Sequence, residues 1–171
     1  VGSEMCIRDR HKGENNDFNN LFASLCNDSD SYEQNILKPE IIVVCGDLAE
    51  GANGDNADII IRQQYNEVEE FLNKLVDHFL NGDKSRIIIV PGNHDLYRGA
   101  TIRSMDLIPD EVREVAKERY FKGDHRYRWN WEDFHFYLIT NEAEYASKYQ
   151  FFIEFYNRFY NGIRSIDDCD M

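Results

Sequence analysis

The strongest constraint on this chain is a pair of branched-apolar runs, Ile41 to Cys45 and Ile87 to Val90, each halted by a glycine and followed by polar residues. Neither run alternates polar with apolar side chains, so each reads as a strand buried on both faces. Gly46 stops the first, and Pro91 with Gly92 stops the second. Proline brings no ladder donor, and glycine opens backbone angles that other residues avoid. Between the runs, "IIIRQQYNEVEEFLNKLVDHFLNG" repeats Tyr65, Val68, Leu72, Leu75, Val76 and Phe79 at helical spacing and ends at Gly82. Strand, helix and strand at this length make a βαβ unit, whose strands run parallel through a right-handed crossover. Asp47 and Asn93 then emerge on one sheet edge, the carboxyl edge, where open α/β sheets bind ligands.

A chain of 171 residues suits one domain with a sizeable core. Hydrophobic residues at 42% and charged residues at 30% exclude general disorder. No apolar stretch approaches membrane-spanning length. The formal charge of −13 disfavours nonspecific binding of nucleic acid or anionic membrane by the whole surface. An acidic protein acting on an anionic substrate needs local positive charge, which bound metal can supply. The four cysteines show no C-x-x-C pair or other zinc-ligand spacing. With no secretory signal either, a cytoplasmic location is expected. The opening "VGSEMCIRDR" reads as translated adapter or vector sequence, so residues 1–10 are expected to be non-native and the chain to be a fragment.

Elsewhere, "DFNNLFASLCN" places Phe18, Leu21, Phe22 and Leu25 on one helical face with Asp17 as cap. "IPDEVREVAKERYF" fits a helix with Pro109 at its first turn. "WEDFHFYLIT" reads as a strand with Phe134, Phe136 and Leu138 on one side. "EAEYASKYQFFIEFYNRFY" reads as a helix carrying aromatics around much of its circumference, which requires cover from other protein. Core, a lid over substrate and a partner surface are the three roles open to it, with core packing the default.

The polar residues after the two runs suggest metal chemistry. Asp47 offers a carboxylate and Asn93 an amide oxygen, donors that suit divalent Mn, Fe or Zn. A carboxylate can bridge two ions with its two oxygens. Ions ~3.5–4 Å apart activate water and neutralise a phosphoryl group undergoing in-line displacement. His94 would stand beside that group, with Asp95 fixing its tautomer so that it donates to the leaving oxygen. Taken singly, Gly46-Asp47 is equally a turn and Asn93-His94-Asp95 an Asx turn. Their pairing on parallel strand ends favours a site.

"GDLAE" at 46–50 and "PGNHD" at 91–95, each after an apolar strand, resemble the calcineurin-like metallophosphoesterases, and "DRHKG" at 9–13 looks like that family's first motif. The resemblance implies an α/β fold, a β-sandwich flanked by helices with two divalent metals at one sheet edge. Asp9 and His11 would bind the first metal, Asp47 would bridge, and Asn93 would bind the second. His94 would contact the phosphate, oriented by Asp95. Arg10 and Lys12 depart from the family pattern. No G-H-x-H element follows, and neither His125 in "GDHRY" nor His135 in "DFHFY" fits one, so both read as structural or surface residues. The domain is therefore expected to be incomplete: residues 11–171 form a partial domain, with 99–171 a helical and aromatic insertion.

Arg98 follows the histidine motif closely enough to reach a substrate phosphate, and a surface salt bridge is the competing reading. Glu50 reads as loop, and Asp55 and Asp58 as solvated loop. "REVAKERYFKGDHRYR" at 113–128 mixes cations with aromatics as single-stranded nucleic-acid binders do, but its interleaved acids favour solvent-facing helical charges. The expected activity is phosphate-ester hydrolysis by a dinuclear centre with metal-bound water as nucleophile. A non-catalytic interaction module on the same scaffold is the alternative.

Overall fold

The computed structural model describes residues 4–7, 18–31, 38–52, 54–131 and 133–167, with backbone alone at 4–7. In chain order the elements are β1 (Glu4–Ile7), α1 (Phe18–Asp30), β2 (Ile41–Val44), α2 (Ala57–Leu80), β3 (Ile87–Ile89), α3 (Arg98–Arg103), β4 (Met105–Leu107), α4 (Arg113–Phe121), β5 (Tyr127–Asn130), β6 (His135–Ile139), α5 (Glu142–Ala146) and α6 (Gln150–Tyr160). They form a mixed α/β architecture in two compact units: Val1–Leu96 with Tyr149–Met171, and Tyr97–Lys148.

In the first unit β1, β2 and β3 pair in that order, all parallel. Ile42 stands opposite Ile87 and Val44 opposite Ile89, and all four are buried. The crossover helix α2 buries the apolar stripe that its periodicity requires, from Ile61 through Tyr65, Val68, Leu72 and Leu75 to Phe79. It ends where Asn81 takes a left-handed conformation (φ 54°) and returns its N–H to the Val76 carbonyl, with Gly82 also at positive φ.

Helix α6 lies against α2. Phe155 stacks on Tyr65 with ring centroids 5.0 Å apart. The polar edges are tied by Arg62 to Glu154 and by Arg158 to Glu69 and Asn66. Phe151, Phe152, Phe155, Tyr156, Phe159 and Tyr160 are all buried, so the aromatic helix is core. The Tyr160 hydroxyl donates to the Ile87 carbonyl at 2.7 Å and anchors α6 to the start of β3.

One expectation is corrected. The central strands are not buried on both faces, because Ile41, Ile88 and Val90 remain 38%, 36% and 43% exposed. An unbroken apolar run fixes what can be covered, while a second covering layer decides what is. In-register Ile42, Val44, Ile87 and Ile89 fill the buried face.

The second unit is an antiparallel sheet in the order β4-β6-β5. Its two ends meet where the Tyr97 N–H donates to the Lys148 carbonyl at 2.7 Å. Buried Ser104 offers its carbonyl to the N–H groups of Thr140 and Asn141. Two readings change here. The helix expected over 108–121 ends at Phe121 as read but starts at Arg113; the charges beyond it are not helical, because the chain turns through Gly123 and Arg128 lies in β5. Phe134 is not in a strand either. It sits at φ 59° in the β5–β6 connection, 60% exposed, with its N–H on the Asn130 carbonyl. Alternation placed it in register, but the hairpin needs those residues for its turn.

Most cations of this stretch have local partners. Arg113 lies near Asp110, Lys117 near Glu114, Lys122 near Glu118 and Arg126 near Asp124, while Arg128 donates to the Tyr145 hydroxyl at 2.9 Å. Among the described residues no helix is long and apolar enough to cross a membrane.

Candidate active site

The exits of β2 and β3 interlock. Gly46 (φ 85°) and Asp47 (φ 54°) both take the left-handed conformation, so the chain turns sharply off the sheet. For an aspartate this costs on the order of 1 kcal/mol, a strain typical of functional loops. A Cβ on Gly46 would lie 2.4 Å from the Gly92 nitrogen, and one on Gly92 would lie 2.1 Å from Asp47 Oδ1. Only glycine at both positions lets the two backbones approach so closely. The Asp47 Oδ1 then accepts the His94 N–H at 2.9 Å. The loops after adjacent parallel strands are thus joined directly.

Asp95 joins them a second time. It is 3% exposed, and its Oδ1 accepts the N–H groups of Leu48 at 3.2 Å and Ala49 at 3.1 Å, and the Tyr65 hydroxyl at 3.0 Å. Its Oδ2 accepts the Gly92 N–H at 2.8 Å. Burial pushes the Asp95 carboxyl above its ordinary range, while hydrogen bonds from Gly92, Ala49 and Tyr65 pull it down. Burial, then the adjacent Asp95, pushes the Tyr65 phenol well up, so it stays a hydroxyl donor at any ordinary pH. The sequence reading directed Asp95 at the His94 ring. In the structure its oxygens point at both loops and at α2.

Helix α2 reaches the same edge with the preceding residue. Gln64 Oε1 accepts the Glu50 N–H at 3.2 Å, and its Nε2 donates to the Gly51 carbonyl at 3.4 Å. Neither Gln64 nor Tyr65 stood out in the sequence as a site residue. The available signal was a phenol on a stripe otherwise made of Val, Leu and Phe, since a buried tyrosine hydroxyl requires a partner.

Among the expected site residues, Asp47 and His94 are half-buried and Asn93 is exposed beside them. Asp9 and His11 lie outside the described residues. Arg98 is the exposed first residue of α3 and belongs to the second unit. His125 is 77% exposed at 3.9 Å from Glu142, and His135 Nδ1 sits 2.7 Å from the Asp133 carbonyl oxygen, both within the second unit. Asp47 and Asn93 bring a carboxylate and an amide to one rim, oxygen donors that suit a divalent ion. Among the described residues no three His, Cys, Asp or Glu side chains gather closely enough to hold one alone, so these two oxygens fit part of a centre.

The neighbouring parallel strands of this mixed α/β domain deliver Gly-Asp and Gly-Asn-His-Asp to one edge, the edge at which open α/β sheets bind ligands. The model of the calcineurin-like phosphoesterases matches residues 7–167, and the chain is a member of that family. No curated protein and no solved structure matches it. The family hydrolyses phosphate esters and generally binds divalent metals.

Proposed function

We propose that this chain hydrolyses phosphate esters with a pair of divalent ions, Mn, Fe or Zn, held by Asp9, His11, Asp47 and Asn93. The observation that carries the reading is the joining of the Asp47 loop to the Asn93-His94-Asp95 loop by a 2.9 Å hydrogen bond across adjacent parallel strand ends. When bound, the ions supply Lewis-acid activation of water and neutralise the phosphoryl group. Asp47 presents a carboxylate held by the His94 N–H. Asn93, exposed beside it, would supply its amide oxygen. His94 stands next to both and donates to the leaving oxygen. Asp95 acts by fixing the loops that carry these groups, and Arg98 is the candidate for a substrate phosphate.

The same reading makes the parallel sheet one layer of a β-sandwich, supported by the partly exposed Ile41, Ile88 and Val90 on its open face. Residues 11–171 are taken as a metallophosphoesterase domain and 99–171 as an insertion in it, of which α6 packs back on α2 in the first unit.

The test is hydrolysis of an aryl phosphate mono- or diester with added Mn²⁺. Chelator should abolish turnover, and Asp47→Asn should remove both metal binding and turnover. His94→Ala should lower turnover by about 10²-fold or more with metal retained. Equal rates in chelated and metal-loaded samples would contradict the mechanism.

A further inference from the structure

Helix α2 has two neighbouring residues turned toward the candidate metal loops, and they perform matching tasks. Gln64 holds the loop after β2 by its Glu50 N–H and Gly51 carbonyl. Tyr65 reaches Asp95, whose carboxylate gathers N–H groups from both loops: Leu48 and Ala49 follow Asp47 directly, and Gly92 precedes Asn93. The phenol is 1% exposed and its ring is fixed against Phe155 and Phe152. A carboxylate with both oxygens engaged by donors from three separate segments has one placement, and that placement sets the separation of Asp47 from Asn93.

We propose that Tyr65 is a positioning residue of the metal centre, acting through Asp95 to hold the Asp47 and Asn93 loops at ligand spacing. The inference rests on the two-metal reading above and adds to it a residue on the crossover helix, outside the loop motifs. Outer partners that orient ligands typically contribute 10–100-fold to metal affinity. Removing one hydroxyl should therefore weaken the metal more than it weakens the fold.

Tyr65→Phe keeps the ring and its stacking while deleting the donor. Tyr160→Phe is the control, since it deletes another buried hydroxyl of the same unit, the one donating to the Ile87 carbonyl at the far end of β3. The full chain and both variants are titrated with Mn²⁺ by calorimetry, and amide exchange is followed without metal. Tyr65→Phe is expected to weaken Mn²⁺ about 10-fold or more and to speed exchange at Leu48, Ala49 and Gly92. Tyr160→Phe is expected to lower Tm comparably while leaving Mn²⁺ affinity and those three amides unchanged. Wild-type affinity and exchange retained in Tyr65→Phe, or an equal loss in Tyr160→Phe, would overturn the positioning role alone. Absence of Mn²⁺ binding by the wild-type chain would overturn the metal reading beneath it and the inference with it.

Discussion

The two units treat aromatic residues in opposite ways. In the first, Phe152, Phe155, Phe159 and Tyr160 are 0% exposed, whereas in the second Phe121 and Trp131 are each 75% exposed and Phe134 is 60% exposed. The parallel-sheet unit therefore spends its apolar surface on holding strands and helices in fixed register, and its functional loops stand on that base. The antiparallel unit buries fewer large side chains, chiefly Phe136 and Ile139, and its exposed ion pairs contribute little each. Buried aromatic packing thus underlies the place where two loops meet within hydrogen-bonding distance.

The largest test of this contrast is Phe155→Ala, which removes a ring stacked on Tyr65 and should cost about 3–5 kcal/mol in urea unfolding. Next comes Asp95→Ala, which strands the buried Leu48 and Ala49 N–H groups and the half-buried Gly92 N–H, and leaves the Tyr65 hydroxyl only the residue 95 carbonyl, 3.4 Å away. A loss of about 3 kcal/mol is expected, together with loss of turnover. Gly92→Ala drives a methyl into the Asp47 backbone and carboxylate, and about 2 kcal/mol should be lost. Trp131→Ala should change stability by less than about 0.5 kcal/mol, and a larger loss would show the second unit to be better packed than its exposure indicates.

Smallest is a pH effect in the second unit. Hydrogen bonds from Arg126 hold Asp124 below the usual carboxylate range, and those from Tyr137 and His135 do the same for Asp133. A depressed folded pKa means stability present above the unfolded value of about 3.8 and lost as pH falls through the folded values. Replacing both with asparagine should lower the melting temperature slightly at neutrality and remove this part of its fall below that pH, so that wild type and variant converge in acid.

Much of the first unit was legible because its signals are local. Strand runs, a helical stripe and glycine stops are short-range, and together they place Asp47 and Asn93 on one edge. The Tyr65–Asp95 bond spans thirty positions of chain, and periodicity reports only that Tyr65 faces inward. Open exposure of Ile88 and Val90 was likewise hidden, since an apolar run carries no record of what covers it. In the second unit, alternation at Phe134 looked like strand because a period of two does not distinguish a strand from the hairpin turn that feeds it. The helix end at Phe121 was legible, whereas the charges beyond it, through Arg128, read as helical although the chain turns at Gly123 into β5.

The most direct measurement is paramagnetic broadening of backbone amides during a Mn²⁺ titration of the full chain. Broadening centred on the amides of Asp47, Asn93 and His94, and lost in Asp47→Asn, is the expected result. Broadening that spares those amides, or that persists unchanged in Asp47→Asn, would contradict a metal centre built between these two strand ends.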